Sequence, residues 1–463
     1  MVVGAPHVAI LAIPYMGHMI PLSEFAKLLQ VRYGFDVTFI TVDNSFDVLS
    51  FTASLPGTIA SVLLPQPSLH DLPPQSKIDT IISHTMARSV PSLREVIVNL
   101  KATTNLVALV VDLYGVDAFD ISEELGLKKY LIFPSAATSL CFALHLAELD
   151  RTIEGEYQDH PEPIHVPGCV PFHGRDLMDP AQDRKDDSYS HLLYHSARYK
   201  EAHGIIVNSS IALEPRPIKE INSNTKFPNV YPIGPLIKNG NDVEGEDVTG
   251  CLKWLGKQPP NSVLYVSFGS GGNLSPEQLS ELAGGLEMSG KRFIWVIRSP
   301  VITKDGVLME VKTGKEEEEH LKEFMERING VGMVVRSWVP QISILKHEAT
   351  GGFLTHCGWN SSIEGMVHGV PMIAWPQYAE QKMNSVVLSE EIKVAIRMKV
   401  DDENGGLVKR QEISKVIKSL MEGEEGKKIE ERIKSIQQEV TRQLDGGSSN
   451  LALDFIAKKW IAN

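Results

Sequence analysis

The feature that most constrains the fold is a series of apolar runs that do not alternate with polar residues. These runs are His7–Ile13, Phe35–Thr41, Val107–Val111, Tyr130–Phe133, Gly204–Val207, Ser262–Phe268 and Phe293–Ile297. Segments with apolar residues at helical spacing separate several of them, as Leu22, Phe25, Ala26 and Leu29 show after the first run. A strand buried on both faces is apolar throughout. The order therefore predicts parallel sheets with helices on both faces.

The series is interrupted once, by a polar, acidic and glycine-rich segment at Asn239–Asp247, and then restarts. A length of 463 residues suits two or three domains of roughly 100–200 residues each, and the single interruption favours two. We therefore predict an α/β protein with two doubly wound, Rossmann-like domains. Ligands bind at the carboxyl ends of such strands, so two domains placed edge to edge would face each other across one cleft. Residues 299–320, with the run Glu316–Glu319, are expected to be a solvated insert.

Composition restricts the partners and the compartment. A net charge of −13 argues against binding to nucleic acid or to an anionic membrane surface. The four cysteines are widely spaced, which indicates a reducing compartment, without a disulfide framework or a zinc site. The chain begins without a basic signal-peptide segment, and no stretch approaches the ~20 apolar residues of a membrane span. A cytoplasmic protein without membrane insertion is expected, and we expect a monomer.

The window Trp338–Gln381 contains a strand, a turn and a helix in direct succession. Gly351–Thr355 is the apolar strand, His356–Ser361 is the turn, and apolar residues recur at helical spacing after it. A helix that begins directly after a strand presents backbone N–H groups and a positive dipole end, which together bind phosphate. The indole of Trp338 offers a flat face for a base.

The same window also carries groups that bind sugar hydroxyls. Glu364, Glu380 and Gln381 provide the hydrogen-bond donors and acceptors that hydroxyls require. Partners for a base, a phosphate and a sugar thus occur in one stretch of 44 residues. The ligand that the window indicates is a nucleotide-sugar.

A candidate general base lies in the first half of the chain. His18 follows the first apolar run, and Asp112 ends a later one, so both should lie at the same edge of a parallel sheet. A carboxylate that orients a histidine and stabilises its protonated form is the usual way to build such a base. Asp117 and Asp120 follow closely, but they fit the polar face of the next helix.

The window Trp338–Gln381 strongly resembles the signature box of plant secondary-product glycosyltransferases, the UDP-sugar-dependent family 1 enzymes. It begins with the box's Trp, ends with its Gln, has its length of 44 residues and keeps the core His356–Ser361 intact. The resemblance extends over essentially the whole chain. It is most detailed for the branch that glucosylates small phenols such as hydroquinone and monolignols.

The resemblance implies the GT-B fold, with an acceptor-binding domain at 1–240 and a UDP-sugar-binding domain at 241–446. In the family the last helix, here about 447–463, packs back on the first domain. The family's dyad maps onto His18 and Asp112 as the catalytic residues. The resemblance further implies UDP-sugar binding by Ser270, Trp338, Val339, Gln341, His356, Gly358, Trp359, Asn360, Ser361, Glu364, Tyr378, Glu380 and Gln381. Candidates for the acceptor pocket are Ile82, Tyr114, Phe142 and Ala143.

The implied reaction is an inverting transfer from UDP-glucose to a small phenolic or hydroxylated aromatic acceptor, such as a hydroxycoumarin or hydroxyindole. His18 would take the proton, and a β-glucoside would form by direct displacement. No Asp-x-Asp follows a strand, so we expect neither a metal nor a cofactor besides the co-substrate UDP-glucose. In the family Gln381 is associated with glucose rather than galactose.

Several residues also have a purely structural interpretation. Ser361–Glu364 fits a capping box, with Ser361 as the N-cap, and that role competes with ribose binding by Glu364. Trp338 could be a core residue, His356 a buried histidine at a strand end, and Glu380 and Gln381 exposed residues of a first helical turn.

Three other functional classes fit the sequence less well. A nicotinamide-dependent dehydrogenase would need a Gly-x-Gly-x-x-Gly loop, which the first loop lacks. A glycosidase would need two carboxylates facing the scissile bond, whereas the window points to a nucleotide. A non-catalytic nucleotide-sugar-binding protein would keep the window and lose the base, but His18 and Asp112 are both present.

Overall fold

The chain forms two compact units. Unit 1 comprises Met1–Lys238 together with Arg442–Asn463, and unit 2 comprises Asn239–Thr441. The computed structural model describes residues 4–42, 45–238, 247, 249–269, 271–272, 274–297, 301–304, 307–310, 323–328, 330–400, 406–444 and 446–462. Within these ranges, no helix has the length and apolarity that a membrane span requires.

Unit 1 is built on a parallel sheet of seven strands in the order β3-β2-β1-β4-β5-β6-β7. The strands are β1 (Pro6–Leu11), β2 (Asp36–Val42), β3 (Ala60–Leu64), β4 (Asn105–Asp112), β5 (Lys128–Phe133), β6 (Ile205–Val207) and β7 (Val230–Pro232). The helices of its first segment are α1 (Met16–Tyr33), α2 (Phe46–Ala53), α3 (Ile78–Thr103), α4 (Phe119–Glu124), α5 (Ala137–Thr152), α6 (Asp187–Tyr199) and α7 (Pro215–Ser223). Short 3-10 turns occur at Val116–Ala118, Tyr157–Asp159, Gly174–Asp176 and Asp179–Ala181.

Unit 2 repeats this design with a parallel sheet of six strands in the order β12-β9-β8-β13-β14-β15. Its strands are β8 (Val263–Ser267), β9 (Arg292–Val296), β12 (Gly332–Val335), β13 (Thr350–Thr355), β14 (Met372–Ala374) and β15 (Ala395–Arg397). Its helices are α8 (Cys251–Leu255), α9 (Pro276–Ser289), α10 (Gln341–Lys346), α11 (Trp359–Val367), α12 (Gln381–Val386), α13 (Arg410–Glu422) and α14 (Glu424–Leu444), with a π-helical turn at Val387–Glu391. The last helix of the chain, α15 (Ser448–Ile461), belongs to unit 1.

The prediction of parallel sheets is confirmed for both large sheets. The two polar segments predicted at 239–247 and 299–320 lie only partly within the described residues. Within 299–320, β10 (Val301–Lys304) and β11 (Val307–Glu310) form an antiparallel pair. The run Glu316–Glu319 lies outside the described residues, as does all of the segment 239–247 except Asp247.

Helix α9 shows how local sequence sets its limits. Ser275 is the N-cap, and its side chain accepts a hydrogen bond from the backbone N–H of Gln278. Pro276 occupies the first turn, where backbone N–H groups have no acceptor within the helix, so the N–H that proline lacks is not missed. Gly290 ends the helix with φ of 66°, a left-handed conformation that glycine adopts without steric cost.

Helix α15 is anchored in the core of unit 1 by one tryptophan. The Trp460 ring is fully buried and meets the edges of Phe25, Phe35 and Tyr130, with centroid distances of 6.4, 6.0 and 5.1 Å. Aromatic pairs in this edge-to-face arrangement add to the free energy of burial. At the start of the helix, the Ser449 hydroxyl donates to the Gly234 carbonyl at 2.8 Å.

Replacing Trp460 by Ala should therefore destabilise unit 1. Truncation of a large buried aromatic residue costs about 3–5 kcal/mol, which lowers the Tm of a unit of this size by roughly 5–15 °C. Leu451→Ala is the matched control, since Leu451 lies on the same helix and is 64% exposed. Differential scanning calorimetry compares the two variants. An unchanged Tm in Trp460→Ala would contradict this packing.

Candidate functional site

The first candidate site lies where β1 and β4, neighbours in the sheet of unit 1, both end. Asp112 is the last residue of β4, and the loop after β1 leads into α1, which carries His18. The Nδ1 atom of His18 lies 3.0 and 3.1 Å from the two carboxylate oxygens of Asp112. Asp112 is fully buried and also accepts the backbone N–H groups of Leu113, at 2.6 Å, and Ile13, at 3.4 Å.

This geometry fixes the tautomer of the histidine. An ionised carboxylate can only accept hydrogen bonds, so Nδ1 of His18 carries the proton and Nε2 carries the lone pair. The His18 side chain is 24% exposed, whereas Asp112 is buried. The pair is thus arranged for Nε2 to take up a proton. Asp117 and Asp120 do not contact His18 in this way but pair with Arg198.

A second carboxylate contacts a residue that follows β4, and no sequence pattern predicts this contact. Asp79, in the first turn of α3, accepts the phenol hydroxyl of Tyr114, which follows β4 by two residues. Burial, together with the charge of Asp79, raises the pKa of Tyr15 to about 12. Tyr15 is the N-cap of α1, one turn before His18.

The remaining acceptor-pocket candidates lie on two helices of unit 1. Ile82 on α3 is 9% exposed. Phe142 and Ala143, on α5, are 0% and 2% exposed, and Tyr114 is half-buried. Three of the four candidates are therefore buried in unit 1.

The second candidate site lies in unit 2, at the carboxyl ends of β8, β13 and β14, which are neighbours in the sheet. His356 follows β13 directly and is 7% exposed. Two glycines pack against its ring. A Cβ atom built on Gly269 or on Gly358 would lie 2.5 or 2.4 Å from Nε2 of His356, closer than any real contact. The position of the imidazole therefore depends on both glycines.

The structure overturns the capping-box interpretation of Ser361 and Glu364. Helix α11 begins at Trp359, its N-cap is Gly358, and Ser361 lies inside the helix. Glu364 is therefore well past the third helical position that a capping box requires. Its carboxylate is held from another element, because Nε2 of Gln341 donates to Glu364 at 2.6 Å and to Ser361 at 3.0 Å.

Gln341 is itself oriented by a tyrosine. The hydroxyl of Tyr265, on β8, donates to Oε1 of Gln341 at 2.9 Å, which directs the amide N–H₂ group towards Glu364. The family resemblance alone predicts a role for Gln341, and no sequence pattern predicts one for Tyr265. A tyrosine in an apolar strand is an ordinary core residue, so the sequence holds no signal for this role.

Two residues of this site have a backbone conformation that non-glycine residues seldom adopt. Cys357 has φ of 65° and Ala379 has φ of 58°, both in the left-handed region. Such residues cost about 1–3 kcal/mol each and persist only where the surroundings hold them in place. Asn384 provides part of that support, since its Nδ2 lies 3.0 Å from the Cys357 carbonyl and 3.3 Å from Oε1 of Glu380.

Gln381 is not an exposed residue of a first helical turn, since it is 3% exposed. Its Oε1 accepts the backbone N–H groups of Gln377, at 2.9 Å, and Tyr378, at 3.1 Å. The amide is thereby fixed with its N–H₂ group as the remaining donor. Glu380, the N-cap of α12, is half-buried.

The other predicted residues differ widely in exposure. Trp338 is 61% exposed, so it is not a core tryptophan, whereas Trp359 and Val339 are 3% and 5% exposed. Asn360 lies in the first turn of α11, and Tyr378 is 36% exposed. Ser270 lies outside the described residues. Among the described residues, no group of three or more His, Cys, Asp or Glu side chains is placed to hold a metal ion.

Comparison with known proteins shows what enzyme this geometry belongs to. The profile of the family described as "UDP-glucoronosyl and UDP-glucosyl transferase" matches residues 204–439, about half of the chain. The chain belongs to the UDP-glycosyltransferase family. It is therefore an enzyme that uses a UDP-sugar as donor, and its two parallel-sheet units are those of a GT-B fold.

Relatives match the chain over almost its whole length. It is 48% identical to the hydroquinone glucosyltransferase of Rauvolfia serpentina, over 98% of both chains. It is 45% identical, with a TM-score of 0.92 and full coverage of both chains, to a Polygonum tinctorium UDP-glucosyltransferase that glucosylates indoxyl, solved with 3,4-dichloroaniline. Phytolacca americana UGT2, solved with UDP-2fluoro-glucose and pterostilbene, is 42% identical with a TM-score of 0.88, over 98% of this chain and 100% of that one.

The packing of His356 can be tested by a substitution that does not strain the backbone. Gly358 has φ of −57°, which alanine adopts freely, so Gly358→Ala acts through the collision of its Cβ with the His356 ring. We expect the affinity for UDP to fall at least about tenfold, or about 1.4 kcal/mol, measured by calorimetric titration.

Gly256→Ala is the matched control. Gly256 also lies in unit 2, with a helical φ of −60°, and an added Cβ there meets only ordinary contacts, the nearest at 3.5 Å. Gly256→Ala should bind UDP as the wild type does. If Gly358→Ala also kept wild-type affinity, UDP binding would not depend on the position of His356.

Proposed function

We propose that this UDP-glycosyltransferase is an inverting glucosyltransferase that transfers glucose from UDP-glucose to the hydroxyl of small phenolic or hydroxylated aromatic acceptors. The observation that carries the proposal is the contact of His18 Nδ1 with the buried Asp112 carboxylate at 3.0 Å. The acceptor class is supported by relatives named for hydroquinone and indoxyl, which are small hydroxylated aromatics.

The proposed chemistry is a single displacement. Nε2 of His18 takes the proton of the acceptor hydroxyl, while Asp112 stabilises the positive charge that develops on the imidazole. The acceptor oxygen attacks the anomeric carbon of UDP-α-glucose, the bond to the UDP oxygen breaks, and UDP leaves. Attack from the face opposite the leaving group inverts the anomeric carbon, so a β-glucoside forms.

We assign donor binding to unit 2 on the basis of its geometry and of the signature box. The exposed Trp338 stacks on the uracil, and Glu364, oriented by Gln341, binds the ribose hydroxyls. The phosphates are bound by His356 and the first turn of α11, and the assigned residues there are Gly358, Trp359, Asn360 and Ser361, with Ser270. Val339 and Tyr378 complete the donor site.

Charge on the departing UDP is stabilised by protein groups in this proposal. The positive end of α11 and the His356 ring act on the pyrophosphate where its charge increases. These donors are preorganised, since His356 is packed between two glycines. We therefore propose that the reaction needs no divalent metal ion.

We assign acceptor binding to unit 1. Ile82, Tyr114, Phe142 and Ala143 remain the proposed lining of an apolar pocket. The Asp79 carboxylate, which accepts the Tyr114 hydroxyl, adds a polar group that could bind a second hydroxyl on the acceptor ring. In this proposal unit 2 binds the donor, and unit 1 carries the general base.

Removal of the base should abolish transfer to weakly acidic acceptors. His18→Ala is expected to lower kcat/KM about 10²–10⁴-fold, because loss of a general base has this effect. The loss should be largest for an alkyl alcohol and smallest for an acidic phenol, which ionises partly without help. Steady-state rates over a series of acceptors of graded pKa test this, and UDP affinity should stay near that of the wild type.

A matched pair of carboxylate variants tests the partner of His18. Asp112→Asn should lower the rate strongly, because the amide cannot stabilise the protonated imidazole. Asp117→Asn should leave the rate unchanged, since Asp117 pairs with Arg198 and Tyr194. Full activity of His18→Ala on an alkyl alcohol would refute the assignment of the base.

The fixed orientation of Gln381 predicts the choice of sugar. We expect a preference for UDP-glucose over UDP-galactose of at least about tenfold in kcat/KM, since a buried amide left unpaired costs about 1–3 kcal/mol. Gln381→Glu keeps an oxygen for the backbone N–H groups of Gln377 and Tyr378 but removes the N–H₂ donor. It should narrow the ratio mainly by loss of activity with glucose.

Gln377→Glu is the control for this substitution. It makes the same chemical change four positions earlier, where the side-chain amide donates to the Trp375 carbonyl at 3.1 Å. The ratio of the two donors should stay at its wild-type value. Equal rates of the wild-type enzyme with UDP-glucose and UDP-galactose would show that Gln381 does not select the sugar.

A further inference from the structure

Two of the four cysteines lie together in unit 1, although 28 positions separate Cys141 from Cys169 in the chain. Cys141, on α5, is fully buried, and Cys169 is half-buried. The two thiols are hydrogen-bonded to each other. Sγ of Cys141 also lies 3.2 Å from the carbonyl of Pro167, which holds the segment around Cys169 against α5.

A histidine and a glutamate complete this cluster. Nδ1 of His145 lies one helical turn from Cys141, at 2.9 Å from its carbonyl oxygen and 3.8 Å from its Sγ. On the other side of the ring, Nε2 lies 4.0 Å from Oε1 of Glu220, on α7. The arrangement Cys141–His145–Glu220 therefore allows the imidazole to become positively charged beside a thiol.

The electrostatics of the cluster favour the thiolate of Cys141. The hydrogen bond from Cys169 lowers the pKa of Cys141 to about 7, against the effect of burial, and the hydrogen bond and charge of His145 lower it further, whereas Glu220 raises it. Burial opposes the charge of His145, but the contacts with Cys141 and Glu220 outweigh it and raise the pKa of His145.

The other two cysteines provide an internal comparison. Cys251 and Cys357 are both buried, and burial raises the pKa of each thiol. A thiol kept protonated reacts slowly with oxidants, because the thiolate is the nucleophile. Only Cys141 among the three has a lowered pKa, and it also has a second sulfur in contact.

A cavity adjoins the histidine of this cluster. A cavity of about 240 Å³ is bordered by His145, and Cys169 itself is partly exposed. The cavity wall includes the cationic side chains of Arg151, Lys200 and Lys226. A small neutral oxidant that enters this space meets the imidazole that contacts Cys141.

We propose that Cys141 and Cys169 form a redox-reactive dithiol that hydrogen peroxide converts into a disulfide. The contact of the two sulfurs, the His145–Glu220 pair beside them and the adjoining cavity together support this modification site. The inference is independent of the proposed glucosyl transfer.

Two steps convert the dithiol of Cys141 and Cys169 into a disulfide. The Cys141 thiolate attacks one oxygen of hydrogen peroxide, the O–O bond breaks, and the departing hydroxide takes up a proton to become water, which leaves a sulfenic acid on Cys141. The Cys169 sulfur then attacks the Cys141 sulfur, the S–O bond breaks, and a second water leaves with the proton of Cys169. The two sulfurs lose two electrons in total, and the peroxide is reduced to two waters.

Peptide mapping of the full-length wild-type protein tests the proposal. After exposure to graded hydrogen peroxide and alkylation of the remaining thiols, mass spectrometry should find the peptides of Cys141 and Cys169 joined. Cys251 and Cys357 should still be alkylated, and a reducing agent should restore both thiols of the pair. In Cys169→Ser the joined peptide should be absent, and dimedone should label Cys141 as a sulfenic acid.

The role of His145 is tested by the rate of disulfide formation against pH. The wild-type rate should rise with pH and level off above about 7, because the thiolate fraction of Cys141 rises through its pKa. In His145→Ala the pKa should move towards the ordinary value of about 8.5, so the rate at pH 7 should fall about two- to tenfold. His160→Ala is the matched control, since the His160 ring bonds the Glu162 carbonyl at 2.8 Å.

Two results would overturn the proposal. One is the absence of the joined Cys141–Cys169 peptide at every peroxide concentration, whether or not Cys251 or Cys357 is oxidised. The other is disulfide formation in His145→Ala at the wild-type rate and with the wild-type pH dependence. The first result is measured on the wild-type protein, so this test does not depend on whether a variant folds.

Discussion

The burial of the Asp112 carboxylate is the constraint on which the rest of unit 1 depends. A buried charge is costly unless hydrogen bonds compensate it. Here the compensation comes from the His18 imidazole and from two backbone N–H groups, of Leu113 and Ile13. The donors of His18 and Ile13 are available only because β1 and β4 are adjacent and parallel, so that both strands end at the same edge, whereas Leu113 directly follows Asp112 in the chain. The fold and the candidate base therefore depend on the same hydrogen bonds.

The second candidate site is likewise built at one edge of a parallel sheet, in unit 2. β8, β13 and β14 end side by side, and their loops carry His356, Gly358 and Glu380. These loops include left-handed conformations at Cys357 and Ala379, which the side chain of Asn384 helps to hold. Such strain is expected where a site is fixed in advance for its ligand. A UDP-glycosyltransferase gains from this arrangement, because donors that are already oriented need no reorganisation when charge develops on UDP.

Periodicity and strand ends were enough to predict the two parallel sheets and the edge shared by His18 and Asp112. The capping box that competed with ribose binding at Ser361 does not form, because the turn after β13 uses Gly358 and a left-handed Cys357, so α11 begins earlier than the Ser and Glu spacing requires. The orientation of Gln381 could not be predicted either, since it depends on two backbone N–H groups of its own loop. The contacts of Tyr265 with Gln341 and of Cys141 with Cys169 join residues far apart in the chain, which no local pattern records.

We propose that one histidine base and one UDP-sugar site carry out a single displacement. The stereochemistry of the product distinguishes this mechanism from a double displacement, because a single displacement inverts the anomeric carbon and a double displacement retains its configuration. The measurement is the proton NMR spectrum of the glucoside, recorded early in the reaction of UDP-α-glucose with hydroquinone. We expect the β-anomer alone, with its large coupling between the first two ring protons. Formation of the α-anomer would contradict it.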